Sequence, residues 1–218
     1  VRRLAAAATI TALTTAALSV VACGPKAPDY STVWTTSSTA TTTTVEKPVP
    51  LSQYLNSIGV TGKQVAPSAL TDLLVSIPTP PGWSPFTDPH ITPETVILAK
   101  DKKYPTARLV VFALNGDFDP AQVIKHGNDD AQLFDNFKQL DSSMQPYNGF
   151  PSAMIQGSYN GDNGTRLHSW NRIVLPTGSP PAKQRYFVQL TITGLAEQAA
   201  AQSTDIDTII HGFVVAAK

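Results

Sequence analysis

Four histidines, His90, His126, His168 and His211, are the first place to look for acid–base or metal chemistry in this 218-residue sequence. No two stand four residues apart. Neither H-E-x-x-H nor a Cys/His zinc spacing occurs, so no metal and no cofactor is expected. His211 falls in the last turn of an expected helix and His126 just before Gly127, where a cation suits the negative end of the macrodipole. No G-x-S-x-G elbow, G-x-G-x-x-G turn or Walker loop is present. A serine hydrolase would have to assemble from scattered Ser, His and Asp. Asp117, Asp119, Asp129 and Asp130 resemble paired carboxylates, yet three of the four fall at helix starts or turns, where capping accounts for them. They also lack the order of a calcium loop. The chain is therefore expected not to be an enzyme.

One strand is less ordinary. In "RLHSWNRIVL", period-two alternation puts Arg166, His168, Trp170 and Arg172 on one side. In "QRYFVQLTIT", Arg185, Phe187 and Gln189 share the side opposite an aliphatic stripe. If the two strands pair, cations and aromatics would form a common surface for a partner protein or a lipid or glycolipid headgroup. The competing reading is that helices cover this face, or that long Arg stems lie on it with their heads in water. On the binding reading, alanine at Trp170 and Arg172 weakens binding without unfolding the domain. Trp83, after Pro80-Pro81-Gly82, is a second candidate, either anchoring a partner or plugging the fold.

The elements that would position these groups follow from periodicity. Leu51, Tyr54, Leu55 and Ile58 have helical spacing, and Gly59 ends the run. Residues 70–78, 95–100 and 107–116 read as strands, the last apolar on both faces. The prolines Pro78, Pro80, Pro81 and Pro85 preclude regular structure between the first two. Asp119 and Pro120 start a short helix as N-cap and first helical residue. Asp129 with Gln132 resembles a capping box, opening a helix with Leu133, Phe134, Phe137 and Leu140 on one face. "SAMIQGSY" and "RLHSWNRIVLP" form a hairpin around residues 160–164. Tyr186, Val188, Leu190 and Ile192 make the stripe of a further strand. Residues 195–201 and then Ile206, Ile209, Ile210 and Phe213 read as helical stripes, with Ser203 or Thr204 capping the second. The expected class is α+β: an antiparallel sheet flanked by helices in a two- or three-layer sandwich.

The amino terminus carries a different kind of chemistry. Arg2 and Arg3 precede an uncharged stretch rich in Ala, Leu, Thr and Val, the layout of a signal peptide. It ends in Val20-Val21-Ala22-Cys23, which resembles the bacterial lipobox and holds the sequence's one cysteine. That resemblance implies a diacylglyceryl group on the Cys23 sulfur, cleavage before Cys23 and an acylated new amino terminus. Residues 1–22 are then signal peptide. Residues 23–50, rich in Thr, Ser and Pro, are an expected disordered tether with a reach of about 30 Å. Thr35 to Thr44 serves as a plain spacer or accepts O-linked sugars. Residues 51–218 are one globular domain. Formal net charge is zero and no basic run occurs in that domain, so no nucleic-acid partner is expected.

Four segments in order, "VSIPTPPGWSPF" (75–86), "VVFALNGDFDP" (110–120), "YNGFPSAMIQGSY" (147–159) and "YFVQLTITG" (186–194), resemble the LpqN/LpqT lipoproteins of mycobacteria and other actinobacteria, with a PsbP-like domain. The resemblance implies an α/β/α sandwich, no established catalytic site and a role in the cell envelope. The expected function is non-enzymatic: a protein held at the extracytoplasmic face of the cell membrane by the Cys23 anchor, binding an envelope protein or lipid. A carrier or sensor with an internal pocket for a lipid precursor is the alternative, and an unrecognised hydrolase the third reading.

Overall fold

Period-two alternation dominates the middle of the chain. In the computed structural model, which describes residues 47–100 and 104–218, it becomes an antiparallel sheet. Cys23, the signal segment and the Thr-rich stretch lie outside the described residues. The strands are β1 (Thr61–Gln64), β2 (Leu73–Ser76), β3 (Ser84–Pro85), β4 (Val96–Ala99), β5 (Thr106–Asn115), β6 (Lys138–Ser143), β7 (Ser152–Asn160), β8 (Arg166–Val174), β9 (Arg185–Leu195) and β10 (Val214–Ala217). Eight of them form the main sheet in the order β3-β4-β5-β9-β8-β7-β6. One edge of β5 is shared: β4 takes its Thr106 end and β1 its Asn115 end. β2 and β10 pair separately as a two-stranded ribbon. The helices are α1 (Leu51–Ser57), α2 (Pro120–Val123), α3 (Asp129–Gln132) and α4 (Ala199–His211). Among the described residues, no helix is long and apolar enough to cross a membrane.

The stripe of β9 decides where the core lies. Tyr186, Val188, Leu190 and Ile192 are buried beneath the ribbon and α4, together with Leu109, Val111, Val174, Ile206 and Ile209. On the opposite face, α1, α2 and the turn that follows α2 cover Leu114, Ala153, Ile173 and Leu175 through Leu51, Leu55, Val123 and Ile124. Burying each such aliphatic side chain contributes about 1.5–3 kcal/mol. The result is three layers with one core on each side of the sheet, the α+β sandwich expected.

Polar contacts fix the layers. Tyr186 donates its hydroxyl to Asp72 Oδ1 at 2.7 Å, tying β9 to the start of the ribbon. Burial and then that carboxylate push the Tyr186 phenol up to about 12. Asp119 caps α2 as expected, accepting from Ala121 N at 2.9 Å. Asp130 instead caps a helix other than its own, accepting from Leu51 N at 3.0 Å. Asp129 accepts from Val49 N and meets His126 Nδ1 at 3.0 Å, while the His126 ring stacks on Tyr54.

Three expectations fail for identifiable reasons. The helix opened at Asp129 stops at Gln132, and residues 138–143 are β6. Asn136 adopts φ 49°, a left-handed conformation Asn tolerates, which turns the chain out of the helix. Phe137 then lies where a side chain on residue 157 would stand: a Cβ on Gly157 would come within 2.5 Å of its ring. Leu140, expected on a helix face, sits at a register shift in β6 and is 64% exposed. Ser203 and Thr204 are interior to α4 and cap nothing; Ser203 Oγ donates to Ala200 O. Ser84 and Pro85 pair with Ala99 and Leu98, a short strand that a proline enters because it lies at the sheet edge.

Trp83 closes the layer beside α4. It is 6% exposed, and its Nε1–H donates to Asp205 Oδ2 at 3.1 Å. The same oxygen accepts from Lys100 Nζ at 2.7 Å. These bonds, Lys100 foremost, hold the Asp205 carboxyl below its usual range. Asp205→Ala should lower stability at pH 7 by about 1–3 kcal/mol, mostly by leaving the indole N–H without an acceptor. A folded-state pKa below the unfolded one stabilises above the unfolded pKa and is lost as pH falls through the folded value. Urea titrations at pH 7 and pH 2.5 should therefore show the difference between wild type and variant shrinking in acid. An equal difference at both pH values would remove the carboxylate from the account.

Candidate functional site

The antiparallel register settles which side chains can act together. In a ladder, directly paired residues share a face. Trp170 pairs with Gln156 and Ile192, Arg172 with Met154 and Leu190, and His168 with Ser158 and Gly194. His168, Trp170 and Arg172 are therefore on the face of the β9 aliphatic stripe, under α4. Arg185, Phe187 and Gln189 are on the other face, where Gln189 pairs with Ile173. The common surface expected from the two strands does not form. Arg185 holds the loop before α2: its guanidinium donates to Phe118 O, lies 4.8 Å from the Phe118 ring centroid and pairs with Asp117 at 3.5 Å. Trp83, buried in the core, does not join a surface either.

What the register brings together is a groove of about 630 Å³ between α4 and strands β6–β8. Its floor is Gln156, His168 and Trp170, and Leu140 forms the rim on β6. α4 supplies the facing wall through Ala199, Ser203, Ile206, Asp207 and Ile210. The small side chains Ala196 and Ala199, at the start of the helical run, leave the space open. Sequence reasoning found two floor residues by alternation and missed the wall. The helical stripe of residues 206–213 was legible as core, but which strands it faces is not encoded in its period.

Several polar groups of the groove are engaged internally. Gln156 Nε2 lies 2.9 Å from His168 Nε2, so the amide donates to a ring nitrogen without a proton. Burial pulls the His168 pKa below its usual value, in keeping with a neutral imidazole protonated at Nδ1. Ser158 accepts from Arg166 Nη2 at 2.7 Å, and the Ser203 proton goes to its own helix. Among the described residues, no hydrogen bond joins His168 to a serine or a carboxylate, and no three His, Cys, Asp or Glu residues cluster as metal ligands.

Past Trp170 on the same strand lies Arg172. Its guanidinium is 4.8 Å from the Tyr147 ring centroid and 5.4 Å from that of Trp170, and Nη1 donates to Ser152 Oγ at 3.1 Å. Tyr147 in turn stacks on Phe213 and donates its hydroxyl to the Phe213 carbonyl at 2.5 Å. Burial lowers the Arg172 pKa and raises that of Tyr147.

A second cleft of about 520 Å³ opens on the other face, between α1 and the sheet, with Phe112, Phe134 and Phe187 in its lining.

The family whose model is described as "Probable lipoprotein LpqN" matches residues 47–216, which includes every element above except the last residue of β10. The chain belongs to the LpqN/LpqT lipoprotein family. An LpqT of Mycobacterium leprae (strain TN), named as a lipoprotein, is 69% identical over 210 residues, covering 96% of this chain and 96% of that protein. An LpqT of Mycobacterium tuberculosis (strain CDC 1551 / Oshkosh) is 62% identical over 209 residues, covering 95% and 92%. The crystal structure of Mycobacterium tuberculosis LpqN, described as involved in cell envelope biogenesis, superposes with a TM-score of 0.63 at 17% identity. The match covers 77% of this chain and 97% of that one. At that identity the LpqN likeness shows the shared fold. The LpqT relatives extend the similarity across nearly the whole sequence.

Proposed function

We propose that this LpqN/LpqT chain works in the cell envelope as a binding protein, held at the extracytoplasmic face of the membrane by an acylated Cys23. The observation that carries the reading is the groove under α4. It is concave, largely apolar and of the size of ligand sites, about 300–1,000 Å³. Among the described residues its histidine makes no hydrogen bond to a serine or carboxylate, and the Ser203 proton goes to its own helix, which suits recognition better than proton transfer. The relatives' lipoprotein names support the anchor, and the part that LpqN's description gives it in envelope biogenesis supports the setting. The occupant is an envelope lipid, a glycolipid or a protein segment. A closed carrier chamber is less well supported: on this face Leu109, Val111, Leu190 and Ile209 fill the space between sheet and cover.

The test is to purify the anchored protein from its own membrane, with Ala199→Phe as the comparison. The added ring occupies the groove from its helix wall. Lipid and peptide mass spectrometry should find a species that co-purifies with wild type and falls at least tenfold in the variant. Equal recovery from both would overturn the groove as the site. Ester hydrolysis that disappears in both His168→Ala and Ser203→Ala would overturn the non-enzymatic reading.

A further inference from the structure

The two halves of α4 are held differently. The carboxy-terminal half buries Ile206 and Ile209 and leads into Phe213, all three in one core cluster with the β9 stripe. Asp205, at the head of that half, accepts from Trp83 Nε1 and Lys100 Nζ. The amino-terminal half has no such hold. Ala200, Ala201, Ser203 and Thr204 are exposed, and Gln202 is its one buried residue. No side chain caps its first turn. At the border between the halves, Thr208 Oγ1 donates to Thr204 O at 2.8 Å, sharing a carbonyl that the helix itself uses.

Gln202 is the weak point. It is 8% exposed, and its Nε2 donates to Gln198 Oε1 at 2.7 Å. Its Oε1 is buried without a hydrogen-bond partner among the described residues. That oxygen rests over Gly194 of β9: a Cβ on residue 194 would come within 2.7 Å of it. A carbonyl that loses water and gains no donor destabilises the closed state, and unwinding returns it to water. Four and seven residues further on, the same helix face carries Ile206 and Ile209, which bury without that penalty.

The loosely held half also shapes the groove. Ala196, Ala199 and Ser203 line it from this half and the 3-10 turn before it, and Ile206, Asp207 and Ile210 from the firmly held half. Unwinding residues 196–204 removes the first three and keeps the others. It opens the groove beside His168, whose ladder partner is Gly194.

We infer that residues 196–204 are a lid on the groove, which opens by local unwinding as far as Thr204 and closes when Gln202 returns to Gly194. The inference rests on the groove being a binding site and adds how an occupant enters it. The opening itself is a property of the unliganded chain, so it is measured without any ligand.

The experiment is amide hydrogen exchange, read residue by residue by NMR, on the full chain with Cys23→Ser so that no attached acyl chain occupies the groove. The amides of residues 203–206 have their helical acceptors in residues 199–202. Relative to their unstructured rates, they should exchange at least about fivefold faster than those of residues 209–211. Gln202→Leu should slow the first group at least about fivefold and leave the second unchanged, because an apolar side chain favours the closed state. A smaller difference in wild type, or unchanged exchange at 203–206 in the variant, would overturn the lid. Where Gln202→Leu does not fold, Gln202→Met, unbranched like glutamine, takes its place. Stopped-flow mixing with Nile red, an uncharged apolar probe, tests entry separately. Association slowed at least about threefold in Gln202→Leu supports entry through the lid, and an equal rate overturns it. If Nile red fails to bind, or binds equally to Ala199→Phe, the groove fails as an apolar site and entry with it, while the exchange rates still decide the opening.

Discussion

Trp170→Ala should destabilise the domain by about 3–5 kcal/mol, the range for removing a large aromatic from a packed core. Trp170 is 5% exposed and stands between Gln156 and Ile192 in the sheet, in the core cluster that includes Ile206 and Ile209 of α4. The substitution opens a cavity at the centre of one core and removes one of the two rings that flank Arg172. Urea unfolding followed by circular dichroism should show a lower midpoint with an unchanged slope. Trp170→Phe should keep more than half of the lost stability. A loss below about 1 kcal/mol for alanine would mean that the indole is a surface group and not part of the core. This outcome reverses the expectation from alternation alone, on which alanine at Trp170 leaves the fold intact. The residue that floors the groove also supports the sheet, so ligand binding is better probed at Ala199.

Cys23→Ala should release the protein from membranes almost completely. Each buried methylene contributes about 0.8 kcal/mol, so a diacylglyceryl group holds a protein firmly where a single chain does not. No helix among the described residues offers an alternative span. In detergent phase partitioning, wild type should enter the detergent-rich phase and Cys23→Ala the aqueous one. Mass spectrometry of the wild-type amino terminus should show an acylated Cys23. Identical partitioning of the two proteins, or an unmodified Cys23 in wild type, would reject the anchor. The domain's own stability should be the same in both, since Cys23 lies outside the described fold, which begins at residue 47.

The two results together separate where the protein is held from what its domain does. On these expected results, Cys23→Ala removes the address and leaves the groove. Loss of Trp170 removes the groove with part of the core.

Much of this was legible in the sequence because the signals are local. The alternation of Tyr186, Val188, Leu190 and Ile192 gives both a strand and its buried side within seven residues. Asp119 and Pro120 mark a helix start through the chemistry of a cap and a missing N–H. The resemblance of Val20, Val21, Ala22 and Cys23 to a lipobox is equally local, and it stands as the expectation that the Cys23→Ala experiment tests.

Tertiary structure decided the rest. Periodicity shows that Arg166, His168, Trp170 and Arg172 share a side, but not which side of the next strand that is. The answer depends on hydrogen-bonded register between residues about twenty apart, and a slip of one residue would have exchanged the faces. It placed Trp170 with Ile192, and Arg185 with the opposite layer. β6 was misread because Leu133, Phe134, Phe137 and Leu140 have helical spacing, while the turn at Asn136 and the room above Gly157 favour a strand. The surroundings of Arg172 are the furthest from sequence: among the described residues its guanidinium makes one hydrogen bond, to Ser152, and that follows from what the fold places around it.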